Sequence, residues 1–412
     1  MKILHSALLA AFFFPAQGLS AMEESKDAGL KLASAVAEAR ANNPALAAAR
    51  RQLGLLEAEV TINSAYPNPS IEVEKPTYGD ITDYALKAVQ PVPLTRRAGT
   101  AGAAASAAYE AARKELEALE TTILGAARKA WYALRIAKER RNFEETNLKF
   151  SMDILNKIEM RLQTGEAGNS DLARAKVESS RSGFHLQEAE TTLNTAAGEL
   201  NALMGRRPDA PLVISENGGF SLAPVLPAVE PLEKYTALAL SRRAELRALA
   251  LNTKAVDLNV TLEKSKRLPV PELGIIRTRE GRIGSSKLFL GLELPLWYNN
   301  NGEIKRALAQ RTVLGYEEKR LELEIRREVY NAWLELGLAQ KRLASARETV
   351  FLLNDLRRTA SQDYLSGKID LTSFYETNRV FLEENVNYLD ALNGYYEKTA
   401  QMDAAINSGE EK

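Results

Sequence analysis

The feature that most constrains this chain is a repeat. Residues 67–73 read PNPSIEV and residues 269–275 read PVPELGI, and a shift of 202 positions aligns far more than this opening. Pro67 and Pro69 fall on Pro269 and Pro271, Pro93 and Leu94 on Pro295 and Leu296, Ala130 and Trp131 on Ala332 and Trp333, Leu134 on Leu336, Asp153 on Asp355, and Gly165 on Gly367. One register held across most of an arm marks an internal duplication, so both copies must fold into the same supersecondary unit.

Each copy shows the same order of elements. A helical stretch (30–66; 231–268) runs into the prolines, which lack the N–H needed to continue a helix and push their neighbours to extended geometry. A hairpin follows. Strands are predicted at 70–75 and 84–94 around Tyr78, Gly79 and Asp80, and at 272–278 and 287–296 around a turn at 281–286. In KLFLGLELPL the residues Leu288, Leu290, Leu292, Leu294 and Leu296 share one face, with Phe289, Gly291 and Glu293 on the other. Lipid on one side and water on the other accounts for that alternation, and so does a half-buried soluble hairpin. Next comes a helix over 98–163 or 304–365, about 90–100 Å long at 1.5 Å per residue. A glycine turn and a return helix (171–204; 373–406) close each copy as a coiled-coil arm.

The class is therefore mainly α with β. Lys plus Arg and Asp plus Glu are both 54, and such a mixture of signs argues against nucleic acid as a partner. The start of the chain, with Lys2, an apolar run and small residues to Ala21, has the order of an export signal, an apolar N-terminal helix being the other reading. This parses the chain into a signal (1–21), a first repeat (22–205), a Pro/Gly-rich linker (206–231) containing Gly218 and Gly219, a second repeat (232–407) and a polar tail (408–412). Some strand structure is expected near 212–215. Beyond the signal no apolar run is long enough for a membrane helix. With no cysteine there is no disulfide, and no thiol to carry an N-terminal lipid. Four strands cannot close a barrel, and a lipid-facing sheet cannot leave its edges unpaired. Three copies would supply twelve strands, an even number in the range of outer-membrane barrels.

This order of elements, the arm-tip stretches LQTGEAGNSDLARA and YLSGKIDLTSFYET, and NNPALAAAR followed by AYPNPSIEVE resemble the TolC family of outer-membrane efflux proteins. The last two stretches are most like its heavy-metal, CzcC- and CusC-like, branch. The resemblance implies a homotrimer with a 12-stranded β-barrel in outer-membrane lipid and a periplasmic α-barrel. It further implies docking to a periplasmic adaptor (membrane fusion protein) and an inner-membrane pump of RND type, with no enzymatic step and no cofactor. The chain departs from the family in lacking a lipidated cysteine and in carrying Leu94-Thr95-Arg96-Arg97-Ala98-Gly99 where a Gly-Gly-Lys/Arg run is common.

By the same resemblance Gly165 and Gly367 mark the adaptor-contacting tip turns, and Asp171, Tyr364 and Glu376 are the gate candidates. A phenol and a carboxylate latch neighbouring helices, and a three-fold ring of carboxylates favours cations. The basic partner expected two residues after the second glycine is Ile369 here. Asp171 also fits a helix N-terminus, where an acid in the first turn is favoured. His185 reads as a surface residue, since no cysteine and few methionines accompany it to make a metal site. Trp131 and Trp333 read as packing between helices, Trp297 and Tyr298 as an interfacial girdle or as core, and the charge-mixed rods elsewhere as faces that are most often solvated. No nucleophile elbow, phosphate loop or metal motif points to an enzyme. The alternative to a channel is a soluble periplasmic coiled-coil adaptor or scaffold.

Overall fold

A computed structural model describes residues 29–75, 83–215 and 220–407. The expected signal, the turn at Tyr78, Gly79 and Asp80, the Gly218-Gly219 pair and the tail 408–412 lie outside the described residues. The first copy runs α1 (Leu32–Asn42), α2 (Pro44–Ser64), β1 (Ser70–Glu74), β2 (Tyr84–Pro91), α3 (Arg97–Gln163) and α4 (Asn169–Leu203). The second repeats it as α5 (Leu232–Arg242), α6 (Ala244–Ser265), β3 (Pro271–Glu280), β4 (Ile283–Leu292), α7 (Asn301–Leu365) and α8 (Leu371–Ala405). Helices α3 and α7 have 67 and 65 residues, which at 1.5 Å per residue makes each about 100 Å long.

The first helical stretch of each copy is two helices rather than the single one expected. At Asn43 the backbone leaves helical geometry (φ −61°, ψ 125°), and its side chain accepts from the N–H groups of Ala45 and Leu46. Pro44 then starts α2 at the position where a missing N–H does no harm. Asn43 also donates through Nδ2 to the carbonyl of Leu203 at 2.9 Å, which ties the kink to the end of α4. The second copy bends equivalently at Arg243 (φ −64°, ψ 127°), with the guanidinium 2.6 Å from Glu328 on α7.

The strands form one antiparallel sheet in the order β1-β2-β3-β4, so the central pair β2–β3 joins the two copies. Two expected strands end earlier than the sequence suggested, β4 being shifted four residues toward the turn and β2 cut short. Strand β4 ends at Leu292 because its last partner is Pro271, the first residue of β3, which leaves Leu294 and Leu296 outside the ladder. Strand β2 ends at Pro91, opposite Glu272, for the same reason: β3 begins at Pro271, whose carbonyl takes the last rung from Val92 N–H at 2.7 Å. The turn expected over 281–286 is only Gly281-Arg282, with Gly281 at φ +59° and Glu280 facing Ile283. The strand expected near 212–215 reduces to a single bridge between Leu30 and Ile214.

The core is distributed along the rods. One cluster around Trp131, Leu134, Leu200 and Met204 lies where α1 meets α3 and α4, and its counterpart around Ile325, Val329 and Leu392 lies where α5 meets α7 and α8. Both tryptophans bind the chain entering their copy. Trp131 donates its indole N–H to the Leu30 carbonyl at 3.3 Å and Trp333 to that of Glu230 at 3.0 Å. The return helices end in matching left-handed residues, Gly205 (φ +73°) and Asn407 (φ +52°). A Cβ on Gly205 would lie 2.4 Å from the Asn42 carbonyl, whereas Asn407 uses its side chain to donate to the equivalent carbonyl, Arg242, at 3.1 Å.

Candidate functional site

The sheet carries one apolar and one mixed face, and the register decides which residues share each. Ile71, Ala88, Ile275 and Leu288 form one cross-strand row, and Leu273 with Leu290 and Pro271 with Leu292 extend the same face. This face is bare: Leu288 is 90% exposed, and Ile71, Val73, Ile275 and Leu290 are exposed with it. On the opposite face Lys87 pairs with Glu72 at 3.4 Å, and its ammonium stands 4.7 Å from the Phe289 ring. Three of the four expected lipid-facing leucines, Leu288, Leu290 and Leu292, thus lie on the exposed face of β4, while Leu294 follows the strand. Trp297 is 98% exposed, which removes the core reading for it within the chain. Tyr298 instead serves α7, its hydroxyl accepting from Gly302 N–H at 3.0 Å and donating to Glu303. Among the described residues, strands β1 and β4 have no partner on their outer edges.

At the far end of the rods, both turns have the same geometry. Gly165 (φ +79°) and Gly367 (φ +76°) take the left-handed conformation that L-residues adopt at a cost. Glu166 N–H reaches the Arg161 carbonyl and Lys368 N–H the Asp363 carbonyl, both at 2.8 Å, as in a Schellman motif. Asp171 accepts from Gly168 N–H at 3.1 Å, so it caps α4 in this structure. Tyr364, only 6% exposed, stacks on Phe374 with 5.4 Å between ring centres and lies 5.5 Å from the Arg161 guanidinium. Burial holds its phenol above the usual range, opposed by Arg161 and reinforced by the charge of Asp171. The structure therefore brings Asp171 and Tyr364 to one place.

Glu376 belongs to a different group. It is exposed, pairs with Arg379 at 3.1 Å, and lines a crevice of about 470 Å³ with Arg140, Glu144, Asn147 and His185. His185 is open to solvent and contacts Glu188 at 3.2 Å. Glu144 is 7% exposed, and burial raises its pKa, an effect opposed by His185 and Arg140. Among the described residues no three His, Asp or Glu side chains converge on a metal position.

A few charges of the rods are not solvated, against the general rule for such faces. Arg135 is buried against Glu139 and the Phe220 ring, Glu144 turns into its crevice, and Arg357 lies between two phenylalanines. A helical pattern of apolar residues does not reveal these positions, because the Phe220 ring at Arg135, His185 in the Glu144 crevice and the two rings at Arg357 come from remote parts of the chain.

No protein-family model matches the chain. In sequence it is similar to the cobalt-zinc-cadmium resistance protein CzcC of Cupriavidus metallidurans, with 23% identity over 386 residues covering 92% of this chain and 90% of that protein. In fold it is similar to CusC, known from structures that follow folding and transmembrane channel formation, with a TM-score of 0.78, 14% identity and 92% of each chain covered. The CmeC outer membrane channel of Campylobacter jejuni gives a TM-score of 0.77 at 14% identity, covering 98% of this chain and 94% of that one. The expected architecture of long helical hairpins and four strands is the fold these channels share.

Proposed function

We propose that this chain, which has the fold of TolC-type outer-membrane channels and resembles their heavy-metal branch in sequence, is the channel subunit of a tripartite efflux system. The observation that carries the reading is the bare apolar sheet face with two open edges, set at one end of rods about 100 Å long. Such a face needs lipid, and such edges need further strands. Three copies side by side satisfy both, giving a barrel in the outer membrane above a helical duct in the periplasm. The repeats 22–205 and 232–407, joined by the linker 206–231, each contribute one hairpin and one arm.

In this reading the protein is a passive exit route with no chemical step. An inner-membrane pump supplies the energy, and an adaptor meets the tip turns at Gly165 and Gly367. Asp171 and Tyr364 restrain the tip, and three copies of Glu376 bias the duct toward cations. The similarity to CzcC supports heavy-metal cations as the cargo. Outer-membrane fractionation tests the placement: the protein should stay with the membrane through a high-salt wash and form pores in planar bilayers. Deleting the gene should lower tolerance to divalent metals. Release by salt together with silent bilayers would instead favour the soluble adaptor, because only the channel requires the sheet to face lipid.

A further inference from the structure

Beyond the apolar rows, the same face of the sheet becomes cationic. Leu86 pairs with Val73 on one side and Arg277 on the other, and Arg277 with Ser286; one row further, Arg279 lies between Tyr84 and Gly284. Side chains two positions apart on a strand share a face, so Arg277 and Arg279 continue the face of Leu273 and Ile275. Lys75 follows Val73 with the same spacing, and Arg282 lies in the turn between β3 and β4. All four cations are exposed. The rods meet the sheet at its other end, because α2 and α6 lead into β1 and β3 while α3 and α7 follow β2 and β4. That rod-side end carries the bare Trp297 instead. The two rims of the apolar face thus differ, one aromatic and one basic.

Charge is also sorted between the faces. Glu72, Glu74, Glu272 and Glu280 alternate onto the mixed face, where Glu72 pairs with Lys87. Among the described residues no acid shares the apolar face with the cations, and none of the four cations forms an ion pair. Arg279 donates only to the Gly281 carbonyl at 3.3 Å, and the nearby Asp83 accepts from Gly281 N–H at 2.6 Å. The duplication carries this charge twice, since the shift of 202 positions places Lys75 on Arg277.

We propose that this basic rim binds the phosphate groups of the phosphorylated glycolipid that forms the outer leaflet of the outer membrane. The proposal rests on the channel reading, which puts the end of the sheet away from the rods outermost. A cation on the lipid face is strongly disfavoured near the bilayer midplane and tolerated near an interface, so these side chains belong at headgroup level. An arginine there lays its stem along hydrocarbon while the guanidinium reaches outward, and its fork of donors matches a pair of phosphate oxygens. A neutral headgroup would not require cations free of acidic partners.

The full-length protein in detergent is titrated with diphosphoryl lipid A, with the same lipid stripped of its phosphates, and with inorganic phosphate, and bound lipid is read by native mass spectrometry. Diphosphoryl lipid A should bind at least tenfold more tightly than the stripped lipid, and inorganic phosphate should not displace it. Arg277→Gln with Arg279→Gln should weaken diphosphoryl lipid A about 25-fold, roughly fivefold for each cation. Lys87→Gln with Lys287→Gln, on the mixed face, should leave its affinity unchanged. Equal affinity for the two lipids would overturn the proposal, and this comparison needs only the parent protein, should the arginine variant fail to fold. Equal losses from the two pairs of substitutions would overturn it as well, and displacement by inorganic phosphate would assign the rim to a free anion instead. A protein that conducts in bilayers yet does not distinguish the two lipids loses this proposal alone, whereas failure of the channel reading shows as release by salt and silent bilayers.

Discussion

Adjacent residues on β4 face different worlds. Leu288 belongs to the bare apolar row, and Lys287 points to the mixed face that also carries Lys87 and Glu72. Leu288→Arg should therefore abolish or sharply reduce assembly, since a cation on the lipid face costs about 2–4 kcal/mol near the bilayer midplane. Lys287→Glu, at the same depth, should assemble normally. Comparable yields of membrane-inserted protein from both variants would mean the faces are misassigned. Along the shaft, Glu144 offers a test by pH. Its pKa is raised by burial, so the folded state favours the protonated acid. That contribution is complete below the unfolded-state pKa and is lost as pH rises through the folded-state value. Glu144→Gln should therefore raise Tm most at about pH 8 and progressively less toward about pH 4. An equal gain at both would assign the effect to packing. The inward roles of Glu144 and Arg357 are the least legible part of the sequence, because a charge on a long helix looks solvated until a ring or crevice from another helix meets it.

At the level of elements, the sequence reveals what is local and periodic. The 202-residue register predicts the two long hairpins, and both tip turns fall at the glycines that the alignment marks. The kinks are less evident. Asn43-Pro44 carries a readable cap and start signal, yet the apolar spacing on either side continues as if one helix ran through. Arg243 carries no local signal, because its bend is supported by Glu328 from α7. Strand ends follow their partners: β4 stops where β3 begins, which the alternation of leucines cannot report. The tip turns give a prediction of opposite signs. Nothing lies within 4 Å of a Cβ added at Gly367 or Gly183, so backbone preference alone decides. Gly367→Ala should destabilise by about 1–2 kcal/mol, the cost of a left-handed L-residue. Gly183→Ala, inside α4, should stabilise by up to about 1 kcal/mol. Both are read from chemical denaturation, and a shared sign would show that the turn is not left-handed in solution.

For the whole molecule, the decisive quantities are edges and faces. The two hairpins supply four strands whose outer members, β1 and β4, have no partner strand among the described residues. Their apolar face is uncovered. A sheet of this kind is stable in lipid only when closed on itself, and three chains reach twelve strands. The same association would surround a duct with the arms and bring three copies of Glu376 around its axis. The most direct test of this account is the protein mass of the detergent-extracted complex, determined by light scattering with the detergent contribution subtracted. The account predicts three copies of the chain in one particle, and a stable, folded monomer would contradict it.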